Sequence, residues 1–243
     1  MSDVLPSDDW SVPLRRSLHQ VVADSITEAI RSGVLQPGER IVELQLAKKL
    51  GVSRAPLREA LKFMEANRLV ESRHGKGTFV CEPSVDEIID MITMRAMVEG
   101  LAARLVTHRL TPALLAEFKS ISKQITAAAS MRRVTEWRNL TWQFHELVCS
   151  SSRNGPLLAT WQSISNFVRL FIHSHPGFEV DVEQRLRNQE EFLDALTSGD
   201  ADFAERTFRR IILTSAFSRL NREVPLNLLD LVRRDRTTLA TKA

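Results

Sequence analysis

This sequence predicts a mainly α-helical protein in two parts: an N-terminal unit of three helices closed by a β-hairpin, then an all-helical bundle of six or seven helices. Three observations predict it. Apolar residues recur at spacings of three and four through most of the chain, as in helices that bury one face. A cluster of strand residues, Val70, Phe79 and Val80, falls at the end of the first third. Just after it Pro83 and Ser84 break the pattern, and no strand signal returns. The expected division is a flexible segment over 1–14, a first domain over 15–82, a second over 83–236 and a flexible tail over 237–243.

Residues 15–32, RRSLHQVVADSITEAIRS, place Leu18, Val21, Val22, Ile26, Ala29 and Ile30 on one helical stripe, with Gly33 as its stop. LQPGER then reads as a turn. In VELQLAKKL, Leu46, Ala47 and Leu50 make a short apolar face that ends at Gly51, where a left-handed residue is easiest to accommodate. The next helix opens at Ser53, a suitable N-cap, with Pro56 in the first turn, where its missing N–H costs nothing. Leu57, Ala60, Leu61 and Met64 form its buried stripe, while Arg54, Arg58 and Lys62 share a separate face.

Two arginines on a helix usually mean a solvated face, here with Glu59 near enough to pair. The context points elsewhere. Two short helices joined by Gly51, Val52 and Ser53, the second basic, match a helix-turn-helix whose recognition helix enters a major groove. Arginine suits that position because its fork bonds guanine O6 and N7 and also grips phosphate. LVES and GTFV then pair across RHGK as a hairpin, and a hairpin directly after a recognition helix is a wing. Gly75 would let the backbone approach nucleic acid, with His74 and Lys76 reaching the minor groove or its phosphates. SRHGKGTFV could also suggest a nucleotide loop, but a strand follows Gly77, so the helix dipole such a loop needs is missing.

Charge agrees with this division. Residues 15–80 hold 12 Lys or Arg against 7 Asp or Glu, whereas the remainder holds 21 against 23. Only the first part is therefore expected to meet a polyanion. No basic-then-apolar leader and no run near the roughly 18 apolar residues of a membrane span is present, so a cytoplasmic protein with no membrane partner is expected. Cys81 and Cys149 lie far apart without a CxxC, which suggests neither a disulfide framework nor a zinc knuckle.

Residues 18–80, above all LAKKLGVSRAPLREALKFMEANRLVESRHGKGTFV, resemble the winged helix-turn-helix of GntR-family bacterial transcription regulators. The resemblance implies operator contacts by Arg54, Arg58 and Gly75, with Ser53, His74 and Lys76 as neighbours, in a homodimer reading a pseudo-palindrome. One departure is Leu44, where some relatives carry an arginine after the residue matching Glu43. The operator should not be copied from them.

After Pro83 the helices follow in series. The first, over about 85–108, carries Ile88, Ile89, Ile92, Ala96 and Val106, and a second opens at Thr111-Pro112 and buries Phe118 and Ile125. A third runs over about 133–151 through Trp137, Leu140 and Phe144, and Asn154-Gly155-Pro156 ends it. A fourth holds Trp161 and Val168 and leads to the loop HSHPGFEV; a fifth covers about 181–198, a sixth runs from Gly199-Asp200 to about 222, and a seventh is possible over about 225–235. RAMVEGLAARL, FHELVCSSSRNGPL and EEFLDALTSGDADFAERTF resemble the FCD domain, the effector-binding bundle of the FadR subfamily of GntR regulators.

Many FCD domains hold a divalent metal, and the matching ligand positions here read Thr141, His145, Gln189 and Ile211. One imidazole with a hydroxyl, an amide and an isoleucine is no metal donor set, so neither metal nor cofactor is expected. His173 and His175 could substitute only from what reads as a loop. His145 is either a core histidine or a ligand contact. Arg95, on an apolar face, either pairs with Glu99 one turn on or receives an anion. The favoured reading is a carboxylate-bearing metabolite held by Arg95, with Thr141, His145 and Gln189 hydrogen bonding it and Arg169 as a weaker second cation. The functional expectation is an effector-controlled DNA-binding regulator, most often a repressor in this family. A regulator with a decayed, ligand-free bundle is the alternative. An enzyme is not expected, since clustered His and Asp ligands, GxSxG and Walker motifs are all absent.

Overall fold

The computed structural model describes residues 17–171 and 182–232, which excludes the expected flexible ends and His173 and His175. The chain divides into two units, Met1–Cys81 and Glu82–Ala243, each described by itself.

In the first unit helices α1 (Leu18–Arg31), α2 (Glu43–Leu50) and α3 (Arg54–Ala66) pack beside strands β1 (Arg40–Ile41), β2 (Val70–Arg73) and β3 (Gly77–Val80). Val22, Ala23, Ile26 and Ile30 of α1 are buried, as are Leu57, Ala60, Leu61 and Met64 of α3, and the two helices pack on each other. Leu18 and Val21, expected on the buried stripe, are 56% and 45% exposed. Val21 lies one residue off the Val22–Ile26–Ile30 row, and Leu18 belongs to the first turn. Gly51 ends α2 at φ 67°, and Ser53 takes the N-cap position of α3 without a side-chain capping bond, contrary to its expected role.

The sheet departs from a simple hairpin. It has three strands in the order β1-β3-β2, with Ile41 opposite Thr78 and Glu71 opposite Phe79 in antiparallel register. Two residues after a turn are too few for an alternation pattern, so β1 carries no sequence signal. The connection is also shorter than RHGK: Arg73 pairs with Gly77 inside the ladder, leaving His74, Gly75 and Lys76 as the loop. Gly75 has φ 68°, which glycine adopts at no steric cost, and a Cβ there would meet nothing within 4 Å. Arg73 is drawn back along the wing, with its guanidinium 4.3 Å from the centre of the Phe79 ring and its Nε donating to Glu71 at 2.8 Å.

The second unit is the helical bundle α4 (Val85–Thr107), α5 (Pro112–Ser130), α6 (Val134–Ser151), α7 (Gly155–Phe171), α8 (Val182–Thr197) and α9 (Ala201–Arg219). A 3-10 turn at Leu226–Leu228 leads to a short α10 (Leu229–Val232), which ends the described chain. Several helix starts follow their capping residues. The Ser84 Oγ accepts from Glu87 N, the Thr111 Oγ1 from Leu114 N and the Asp200 carboxylate from Phe203 N. Helix α4 is the centre of the bundle, packed against α6, α7, α8 and most extensively α9.

Gly100 permits that last contact. A Cβ at this position would lie 2.7 Å from Cγ of Arg209 and 3.1 Å from the backbone oxygen of Glu205, both on α9. Gly100→Ala should therefore destabilise the bundle by about 1–2 kcal/mol despite alanine's better helix propensity, since a packed backbone has to shift. Urea denaturation of the two proteins checks this; a more stable alanine variant would show that α9 has slack.

Candidate functional site

Two sites emerge, one on each unit. On the first, Ser53, Arg54 and Arg58 are exposed at the start of α3, and His74, Gly75 and Lys76 are exposed at the wing tip. Arg58 does not pair with Glu59, which bonds Lys62 at 3.0 Å. Its partner is Glu43 at the start of α2, whose Oε2 lies 2.9 Å from Arg58 Nε and 3.7 Å from an Arg54 terminal nitrogen. The side chains of Arg54 and Arg58 remain 58% and 55% exposed, so water screens both contacts and neither is worth more than about 1 kcal/mol. Glu43 thus gathers two guanidiniums without neutralising their outer edges. Leu44 is 69% exposed beside it, presenting an apolar side chain where some relatives carry an arginine.

The second site begins with the carboxylate of Glu99, which is fully buried in α4. Its Oε1 accepts from Arg95 Nε and from Trp161 Nε1 of α7, both at 2.6 Å. Nδ1 of His145 on α6 lies 2.6 Å from Oε2, a close polar contact that is not aligned as a hydrogen bond. Burial by itself would raise the Glu99 carboxyl, but Arg95, His145 and Trp161 together hold it at about 2. Burial likewise pushes the His145 imidazole below its usual range despite the pull of Glu99. The ring is therefore neutral at pH 7 with its proton on Nδ1, which leaves Nε2 as a lone-pair acceptor.

Around this network opens a cavity of about 80 Å³ that gathers Arg95, Thr141, His145 and Gln189 with Ile211. Arg169 is not among its walls; it donates to Asn139 at 2.7 Å. In place of Arg169 the cavity is lined by three arginines that sequence reasoning missed, Arg138 of α6, Arg185 of α8 and Arg219 of α9. Helical spacing ties each of them to a cavity wall only once the cavity itself is known. Arg138 precedes Trp142 by four residues, Arg185 precedes Gln189 by four, and Arg219 follows Ser215 by four, so each shares a face with a cavity wall.

Indole faces hold two of the guanidiniums. Arg95 lies 4.2 Å from the Trp142 ring centre and Arg185 4.6 Å from that of Trp137. Burial, then the charge of Arg138, brings Arg185 down to about 10, so it stays cationic at neutral pH. Burial also lowers Arg138 and Arg219.

The positions that hold metal in many FCD domains do come together here, but their chemistry does not suit an ion. Thr141 donates its hydroxyl to Trp137 O at 2.9 Å, Ile211 adds only methyl groups, and the Glu99 carboxylate already accepts from Arg95 and Trp161 with His145 against its other oxygen. No cluster of three His, Cys, Asp or Glu side chains able to hold a metal occurs among the described residues.

Comparison with known proteins matches both units. Residues 18–80 match the family described as bacterial regulatory proteins, gntR family, and residues 90–214 match the FCD domain. The chain is 28% identical over 194 residues to the "Probable D-xylose utilization operon transcriptional repressor" of Paenarthrobacter nicotinovorans, covering 79% of this chain and 84% of that one. It is 29% identical over 175 residues to the Glc operon transcriptional activator of Escherichia coli strain K12, covering 63% and 68%. Among solved structures, E. coli McbR/YncC aligns with a TM-score of 0.71 at 21% identity, over 85% of this chain and 99% of that one, a likeness of fold. Among the described residues no helix is long and apolar enough to cross a membrane.

The Glu99 network sets how stability responds to acid. The folded pKa values of Glu99 and His145 both lie below their ordinary 4.5 and 6.5, so each stabilises fully above its ordinary value. Stability should fall as pH drops below about 6.5, when His145 is forced to charge, and fall further below 4.5 as Glu99 approaches its folded value of about 2. Glu99→Ala, which strands Arg95 and Trp161, should cost about 3–5 kcal/mol at pH 7. In Glu99→Gln the decline below pH 4.5 should flatten. Urea midpoints from pH 7 to pH 3 test both, and an acid slope unchanged in the glutamine variant would dismiss the network as its source.

Proposed function

This chain belongs to the GntR family of bacterial regulatory proteins, with an FCD domain behind its winged helix-turn-helix, and from that membership we propose an effector-controlled, sequence-specific transcription regulator. Two copies bind a pseudo-palindromic operator in the cytoplasm, each presenting α3 to a major groove and its wing to the adjoining backbone. Repression is the proposed mode, as the name of the Paenarthrobacter relative states for that protein. The observation that carries the DNA-binding reading is the arginine pair on α3, exposed at its outer edges and gathered from behind by Glu43. A guanidinium placed in this way can exchange a weak carboxylate contact for a bidentate bond to guanine or phosphate.

The effector is a small organic anion received by the bundle cavity without a metal. Arg95 presents its guanidinium there, stacked on Trp142 and bonded through Nε to Glu99, and Thr141, His145 and Gln189 surround it. The amide nitrogen of Gln189, a residue only 4% exposed, has no acceptor among the described residues, which favours a ligand over a decayed pocket. Anion binding favours one of two arrangements of the dimer and so changes operator affinity.

Arg58→Ala is the direct test, because Arg58 is a surface residue whose loss should leave the melting temperature unchanged. Affinity for an operator selected from the protein's own promoter region should fall about 10- to 100-fold, as expected for one lost bidentate contact. Fluorescence anisotropy reads the change, and wild-type affinity in the variant would overturn the DNA-binding assignment of α3. Reporter expression that falls on deleting the gene would overturn repression.

A further inference from the structure

We propose that the ligand of the bundle cavity is a compact dianion, a molecule bearing two anionic groups about the length of a four-carbon dicarboxylate apart, gripped by Arg138 and Arg185 as well as Arg95. This rests on the sensing role given to the cavity above and names the chemistry of its ligand.

The charge of the walls leads to this class. Arg95 is matched by the buried Glu99 behind it, and among the described residues no carboxylate lines the cavity itself. Among the described residues neither Arg138 nor Arg185 forms an ion pair, and Arg219 adds a fourth guanidinium to the same walls, its Nε donating to Ser215 O at 3.0 Å. Two cations that repel each other in a partly desolvated space are a costly arrangement for a protein to hold empty. A monoanion would balance one of them and leave the other, whereas a dianion balances both.

Unused hydrogen-bonding capacity points the same way. Among the described residues, Nε of Arg138 and the side-chain nitrogen of Gln189 are buried donors without acceptors. They come from α6 and α8, and Arg185 lies one turn before Gln189. Trp137 and Trp142 hold the Arg185 and Arg95 guanidiniums by their faces, so the edges remain available for planar carboxylates. A dry apolar hole would show none of these features. The cavity instead combines these donors with apolar walls such as Ile92, Ile125, Phe192 and Ile211, which suit a short carbon chain between the charged ends.

Volume limits the size. At about 10–15 Å³ per water-sized probe, 80 Å³ holds roughly six such groups, the scale of a four-carbon diacid. A phosphate monoester of a short hydroxy acid also carries two anionic groups, with a net charge of about −3 at pH 7, and is distinguished by experiment.

The test uses the full-length protein in a buffer without organic or phosphate anions. Melting temperature and calorimetric binding are measured with malonate, succinate and glutarate, with 3-phosphoglycerate, and with the monoanions propionate and butyrate as size-matched controls. The proposal expects at least one dianion to raise the melting temperature by several degrees and to bind at least tenfold more tightly than any monoanion. Response to the diacids or to the phosphate monoester identifies the source of the second charge.

Arg138→Gln and Arg185→Gln separate a ligand-binding role from a structural one. Each should keep or raise the melting temperature of the ligand-free protein, because mutual repulsion is relieved, and should lose the response to the dianion. Monoanions binding as tightly as dianions would overturn the dianion while leaving an anion sensor standing. Dianion binding that survives both substitutions would overturn the assigned grip. Silence in every arm would overturn this proposal and the sensing role together, and operator affinity measured in parallel would still report on the DNA-binding reading.

Discussion

A single buried carboxylate organises the C-terminal unit. Glu99 lies without solvent exposure at the centre of the bundle, where an unpaired charge would cost several kcal/mol. It is tolerated because polar groups from three helices converge on its two oxygens: Arg95 from its own helix α4, His145 from α6 and Trp161 from α7. The consequences reach the cavity. Fixing Arg95 through Nε sets its guanidinium over Trp142, and taking the His145 proton on Nδ1 makes Nε2 an acceptor. The aromatic cluster of Phe118, Phe144, Phe192 and Phe208 packs behind this network, with ring centroids 4.4–6.1 Å apart.

Arginine serves two purposes in this chain, and solvent decides which. Arg54 and Arg58 stand in water, where their contacts with Glu43 are weak and exchangeable, as a side chain waiting for DNA phosphate or a guanine edge requires. Arg138 and Arg185 line the same small cavity, where low polarisability strengthens every charge interaction, unfavourable ones included. A guanidinium on the recognition helix can wait at little cost. One in the cavity is held against its own tendency. The first arrangement suits reading a polyanion, the second suits sensing a small molecule.

The helices were legible because their signals are local. Thr111-Pro112 and Asp200 start helices where their capping chemistry says they should, and Gly51 ends one in the left-handed conformation expected of it. Where the signal was short or shared it failed. Strand β1 is two residues long and exists only because Val80 and Glu39 bring it against β3, with Val80 N donating to Glu39 O at 2.9 Å. Ser53 has the right type for a cap but makes no capping bond. In the cavity, Arg95, Thr141, His145 and Gln189 were reachable from the family's pattern, whereas Arg138, Arg185 and Arg219 were not, because each looks like an ordinary helix-surface cation in its own segment.

What the sequence determined by itself is therefore the kind of protein and the chemistry of its recognition helix and wing. A recognition helix and a wing are contiguous segments, so residue spacing already places Arg54, Arg58 and Gly75 within them. The fold alone decided the charge of the cavity and the partner of each arginine. Residues 95, 138, 185 and 219 lie on four different helices, and no periodicity within one helix can show that they face a common space. The same holds for Glu43, which stands 15 residues before Arg58 and becomes its partner only when α2 and α3 pack. Spacing along a chain fixes which side chains share a helical face, and only packing between helices fixes which faces meet.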